Sequence, residues 1–147
     1  MDDHQVRELF RTAVADDDAA AMRTGIEHLL GLADGGGLSA EHEHAVRHPD
    51  FVLEMPQSNE RVRGRDAMRG LQRAFPAGPP TVTLRGVSVA GRTWVLEGVN
   101  DYGDDDIWHV VDIIELDAEG SILRETRYYA QPLPAPAWRA ELTQPQS

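Results

Sequence analysis

The chain has no cysteine among its 147 residues, which excludes disulfide bridges and thiolate metal sites and leaves the redox compartment unspecified. Met1 is followed by Asp2, Asp3 and His4 rather than by a basic region and an apolar core, so no leader is expected. No apolar run approaches the roughly 20 residues of a membrane span. Cations are in deficit, with 14 Lys and Arg against 25 Asp and Glu, a net charge of −11 and a pI near 4.8. Binding to nucleic-acid phosphates or to an anionic membrane needs clustered cations, so neither nucleic acid nor membrane is an expected partner. Gly-rich phosphate loops, nucleophile elbows, internal repeats and long low-complexity segments are missing too. What remains is a soluble, cytoplasmic protein: one domain over residues 1–139, long enough to bury a real core, and a flexible tail over 140–147.

From Asp3 to Ala33 the apolar residues Val6, Leu9, Phe10 and Ala13, then Met22, Ile26, Leu29 and Leu30, recur at helical spacing around the acidic turn Asp16 to Asp18. This predicts two helices, or one broken helix. Gly35 to Gly37 predict a flexible loop, Ser39 caps a short helix through Ala45, and Pro49 closes it. Phe51 to Met55 reads as a strand, Pro56 to Glu60 as a turn, Arg61 and Val62 as a short return strand, and Arg65 to Phe75 as a helix. After the Pro76 to Pro80 linker come four strands, at Thr81 to Val89, Arg92 to Tyr102, Ile107 to Leu116 and Ser121 to Ala130. Their glycine-bearing turns predict a meander, giving an α+β domain whose sheet is covered on one face by helices. Pro132, Pro134 and Pro136 make an extended tail, with Trp138 expected to pack back on the body.

The residue out of place is Asp112, in the middle of IWHVVDIIEL from Ile107 to Leu116. On a strand it shares the apolar face of Trp108, Val110, Ile114 and Leu116, while His109 and Glu115 point the other way. A carboxylate there neutralises or finds a partner, and both outcomes suit acid or base chemistry; a structural Arg or backbone amides would hold it equally well. If the last two strands form a hairpin with a two-residue loop, Asp112 shares its face with Glu125, Arg127 and Tyr129. An ion-paired Asp112 would act as base, and an unpaired one as acid.

The order of elements, with HPDFVLEMPQSNERVRGRDAM from His48 to Met68 and ELDAEGSILRETRYYAQPL from Glu115 to Leu133, resembles the nuclear transport factor 2-like superfamily. Within it the chain is most similar to SnoaL-like and ketosteroid isomerase-like proteins. The resemblance, covering about His42 to Arg139, implies a cone: a strongly curved mixed or antiparallel sheet wrapped around N-terminal helices, with an apolar mouth for a small molecule and often a homodimer packed through the outer face of the sheet. It also implies that Asp112 stands where the isomerases carry a protonated Asp, a case that is a standard worked example of pKa tuning. Met55 stands where their general base should be, and Arg127 stands close to where limonene epoxide hydrolase-like enzymes carry an Asp.

The resulting expectation is a cofactor-independent cyclase or isomerase acting on a polyketide-like apolar substrate. Asp112, Arg127, Tyr129 and Glu125 form the catalytic set, with Tyr129 donating to the developing oxygen. Trp108, Val110, Met55, Met68, Phe75 and Glu97 form the substrate wall. A non-catalytic binding cone and an epoxide-opening enzyme are the alternatives. No metal is expected. His42, His44 and His48 read as solvated or dimer-facing, His48 with Asp50 as a turn-stabilising pair, and the Asp101 to Asp106 turn lacks the order of a calcium loop.

Overall fold

The computed structural model describes residues 1–32 and 39–146; the Gly35 to Gly37 loop and Ala33 lie outside the described residues. Two helices, α1 (Asp3–Asp16) and α2 (Ala19–Leu29), occupy the N-terminal region. Asp2 caps the first through a reciprocal box with Gln5, Asp17 turns the chain in the left-handed region at φ 51°, and Asp18 caps the second through the Ala21 amide. The acidic turn thus separates two complete helices, because short side-chain oxygens there satisfy amides that a continuous helix would have bonded internally. Ser39 caps α3 (Ala40–Val46) through the His42 amide.

The first strand, β1 (Arg47–Met55), begins four residues earlier than the sequence predicts. Pro49 lies inside it rather than closing the helix. Its missing donor is tolerated because pairing with the neighbouring strand is irregular between Arg47 and Val52. Then follow β2 (Glu60–Arg63), α4 (Arg65–Arg73), β3 (Thr81–Ala90), β4 (Thr93–Asp101), β5 (Ile107–Leu116) and β6 (Ile122–Ala130). The sheet order is β2-β1-β6-β5-β4-β3. The predicted meander forms one part of it; the first strand pair joins through β1 running parallel to β6. Hairpin signals reveal local antiparallel neighbours, whereas this pairing is long-range and has no turn to announce it.

The sheet is curved and unclosed, with β2 and β3 as its edges. Extra residues at Arg85 in β3 and Leu123 in β6 break the pairing registers, and such bulges bend and twist strands. The expected two-residue loop between β5 and β6 is instead a longer turn. The Asp117 side chain accepts from the amides of Glu119 and Ser121, each at 2.9 Å. The bulge at Leu123 then restores the expected parity, so Asp112 faces Arg127 directly.

Helices α1 and α2 fill the concave face. Val6, Phe10, Ala13, Met22, Ile26 and Leu29 are buried with Trp94, Leu96, Ile114, Leu116 and Ile122, each large side chain contributing roughly 1.5–3 kcal/mol. Phe10 meets Trp94 at 5.3 Å between ring centroids. Gly120, at φ +81°, lets the β5–β6 turn touch α1, for a Cβ there would lie 2.5 Å from the Arg11 amide nitrogen. Trp138 does not pack on the body: it is 77% exposed and lies under the Arg139 guanidinium, in a short 3₁₀ turn, Ala137–Arg139, that follows the extended proline segment. Among the described residues no helix is long and apolar enough to cross a membrane.

Candidate active site

Antiparallel pairing of β5 with β6 sets Val110 opposite Tyr129, Asp112 opposite Arg127 and Ile114 opposite Glu125. All six project from the concave face, because side chains two apart on a strand share a face. The Arg127 guanidinium lies between two carboxylates: Nη2 donates to Glu125 Oε2 at 3.0 Å, and Nε is 3.5 Å from Asp112 Oδ2. Glu125 continues the chain of charges to Arg47, whose Nη2 is 3.6 Å from Oε1. Arg47 in turn pairs with Glu43 at 3.3 Å and donates to Gln72 Oε1 at 2.8 Å, while the Gln72 amide donates to Glu43 Oε2 at 2.6 Å. Helix α3, strand β1, helix α4 and the last hairpin thereby meet in one buried network.

Three carboxylates share this network with two guanidiniums, which leaves one excess negative charge in a low-dielectric interior if all are ionised. A proton on one carboxyl removes it. Asp112 is the least compensated: its closest cation is 3.5 Å away, and Oδ1 is buried without a hydrogen-bond partner among the described residues. Burial, reinforced by the Glu125 charge and only partly opposed by Arg127 and Arg47, pushes the Asp112 carboxyl up to about 8. Burial also raises Glu43, against the pull of Arg47. For Arg127 burial works against the charge, but Asp112, Glu125 and Glu43 outweigh it and hold the guanidinium above its ordinary range. Arg127 is therefore a permanent cation, and Asp112 a carboxylic acid at neutral pH.

The cavity beside this network has a narrow floor and a wide mouth. The floor, about 60 Å³, is walled by Ile26, Leu29, Trp94, Leu96 and Ile114, with Asp112, Glu125, Glu43 and Gln72 as its polar side. The mouth, about 360 Å³, is walled by Met55, Leu71, Phe75, Tyr102, Trp108 and Tyr129. Phe75, Asn100, Tyr102, Val110 and Arg127 line both, so the two adjoin. The mouth alone is within the size range of small-molecule sites. Trp94 Nε1, on the floor, is the other buried polar side-chain atom lining this space without a partner among the described residues.

The structure brings Asp112, Arg127, Glu125, Trp108, Val110, Met55 and Phe75 to this cavity. Tyr129 contributes its ring, but its hydroxyl donates to Ser58 Oγ at 2.9 Å. It is committed to the β1–β2 turn, which corrects the expectation that it donates to a reacting oxygen. Met68 is fully buried in the core and lines neither part of the cavity. Glu97 lies on the outer face: its neighbours Leu96 and Gly98 line the floor, and strand alternation turns Glu97 away. Sequence reasoning missed Glu43, Arg47, Gln72 and Trp94. Glu43 and Arg47 stand four apart at the end of α3, a spacing that suits a pair; nothing local marks Gln72 as its third member.

The histidines go elsewhere. His42 Nδ1 is 2.6 Å from Asp3, His44 Nε2 is 2.7 Å from Asp66, and His48 Nδ1 accepts from the Asp50 amide at 2.9 Å.

No protein-family model and no curated protein matches the sequence. Solved structures do match in fold. A nuclear transport factor 2-like protein of unknown function from Burkholderia xenovorans aligns at a TM-score of 0.68 and 26% identity, covering 96% of this chain and 98% of its own. A proposed ketosteroid isomerase from Kribbella flavida aligns at 0.70 and 23% identity, over 95% and 91%. An LEH-like epoxide hydrolase from Mycobacterium tuberculosis aligns at 0.54 and 20% identity, over 70% and 75%. The chain has the nuclear transport factor 2-like fold.

Proposed function

We propose that this chain, built on the nuclear transport factor 2-like fold, is a cofactor-independent acid–base enzyme, an isomerase or cyclase acting on a small, largely apolar carbonyl compound. The observation that carries the reading is the Asp112 carboxyl. It is buried on the cavity wall with one oxygen unpartnered among the described residues and its pKa raised to about 8. A neutral acid in that place donates a hydrogen bond to a carbonyl oxygen, and the bond strengthens as negative charge develops there during enolisation. Arg127, flanked by Glu125 and Asp112, fixes the strand-face geometry and is a positioning residue. With Met55 where a partner base would stand, a water in the cavity takes the carbon proton as Asp112 gives its own to the carbonyl oxygen, and that water then returns a proton to Asp112. The outer face of the sheet exposes Val95 and Tyr128, which supports a homodimer as the working form.

A second reading rests on Arg127 bridging two carboxyls in one cavity. Protonated Asp112 would donate to an epoxide oxygen while Glu125 takes a proton from the attacking water; one C–O bond breaks and one forms, giving a diol.

The test is proton exchange in D₂O at pH 6–7 across a panel of apolar ketones and epoxides, followed by NMR. Asp112→Asn should lower exchange or turnover by about 10²-fold or more in a protein with an unchanged circular-dichroism spectrum. Arg127→Gln should lower the rate and shift its pH profile to higher pH, because losing the guanidinium that favours the Asp112 carboxylate raises that carboxyl further. A folded Asp112→Asn variant with unchanged product formation would overturn the enzyme reading and leave a binding cone.

A further inference from the structure

The mouth of the cavity is built from aromatic rings in an arrangement that a purely apolar substrate does not require. Phe75, from the segment after α4, meets Tyr102, just after β4, edge to face at 5.8 Å and 86°. Trp108 on β5 meets Tyr129 on β6 at 5.4 Å and 65°. All four line the same 360 Å³ space, two rings from each pair. The carboxylates of Glu60 and Asp106 line it too, and both residues are exposed, so they stand at its rim. Asp106 also accepts the Trp108 indole N–H at 2.9 Å, which fixes that ring and makes it more electron-rich. Among the described residues the one cation lining the mouth, Arg127, sits at the deep end, 20% exposed and bound to Glu125.

We propose that the mouth is an aromatic cage for an alkylated ammonium group, so that the compound reaching Asp112 carries one. Ring faces attract a cation whose hydration shell is weak. The acidic rim and the net charge of −11 favour its approach over that of an anion or a neutral molecule. The register gives the ligand a length. Val110 and Tyr129 lie two residues above the Asp112–Arg127 pair on the hairpin and Trp108 lies four above, which at roughly 3.3 Å per residue is about 7 to 13 Å from cage to carboxyl. The ligand class is thus a carbonyl compound with its ammonium on a chain or ring of that span. The carbonyl half of this description rests on the function proposed above, whereas the cage does not.

Calorimetric titration of the whole chain with choline and with its neutral isostere 3,3-dimethylbutan-1-ol separates charge recognition from apolar fit. Choline should bind at least about tenfold tighter, a difference of about 1.4 kcal/mol, and less tightly as salt is raised. Trp108→Leu, which keeps apolar area and removes the π face, should bring the two probes within about twofold, with Tyr129→Leu acting in the same direction. Glu97→Gln, on the outer face of the sheet, should leave choline binding in place. Equal binding of the two probes, no binding of choline, or a preference that survives Trp108→Leu would each overturn the cage. If choline binds as expected but no Asp112-dependent exchange is found, the cage stands and the enzyme reading falls. Exchange without charge preference overturns the cage and leaves the enzyme reading in place.

Discussion

Replacing Asp112 by Asn should stabilise the protein by an amount that grows with pH. The native state keeps this carboxyl protonated up to about pH 8, whereas an unperturbed Asp titrates at 3.8. Between those values the folded state binds one proton more than the unfolded chain, so stability falls as pH rises. Below 3.8 there is no loss, and above about 8 the loss is complete. Each pH unit in that window costs about 1.4 kcal/mol. From pH 5 to pH 7 the wild type should therefore lose ~2.7 kcal/mol that the Asn variant, with nothing to titrate at this position, retains. The figure requires only that Asp112 stay protonated through pH 7 in the fold. Its side chain is 13% exposed, so solvent screening removes little of the effect. For a chain of this size about 1 kcal/mol moves Tm by roughly 2–4 °C, so the gap in Tm between variant and wild type should widen by about 5–10 °C. Thermal and urea melts of both proteins at half-unit pH steps read this directly, since titrating groups outside the buried network are common to the two and cancel in the difference. Parallel stability curves, with a constant gap from pH 5 to 8, would show Asp112 ionised in the fold and refute the argument.

Arg47→Ala should cost about 3–5 kcal/mol in urea melts, because it leaves Glu43 buried without its cation and Glu125 with Arg127 alone; adding Glu43→Gln should recover part of that loss, and strict additivity of the two would count against the network. Gly120→Ala should cost at least ~2 kcal/mol through its positive φ and its close approach to the α1 backbone, measured by thermal melting, with near-neutral behaviour arguing against that contact. Glu97→Gln and Trp138→Ala, at exposed positions away from the cavity, should change stability by no more than about 0.5 kcal/mol and leave choline binding unaltered. A loss of binding in either would place it nearer the site than the structure does.

Much of the hairpin that carries the site was legible in the sequence. IWHVVDIIEL is apolar and β-branched enough to be a strand, and period-two alternation puts Asp112 on its inner face whatever the strand pairs with. That Asp112 shares a face with Glu125, Arg127 and Tyr129 followed from parity, and it held although the loop was not of the expected length: the longer turn and the bulge at Leu123 compensate each other. Glu97 shows where such reasoning stops. Its position on β4 relative to Asp112 depends on the register across the Asp101 to Asp106 turn, and no local pattern sets that. Tyr129 is a similar case, for its face was legible while its hydroxyl partner, Ser58, lies 71 positions away.

The sequence by itself determined the elements, the acidic character of the chain and the presence of a carboxyl on an apolar strand face, because these depend on short-range periodicity, capping and composition. Only the tertiary structure decided what that carboxyl is. Its protonation depends first on burial and on the Glu125 charge, then on Arg127, and last on Arg47 and Glu43, which the start of β1, its parallel pairing with β6 and the end of α3 bring to the same cluster. Charge interactions in a buried cluster are set by distance and dielectric, and chain separation carries no information about either.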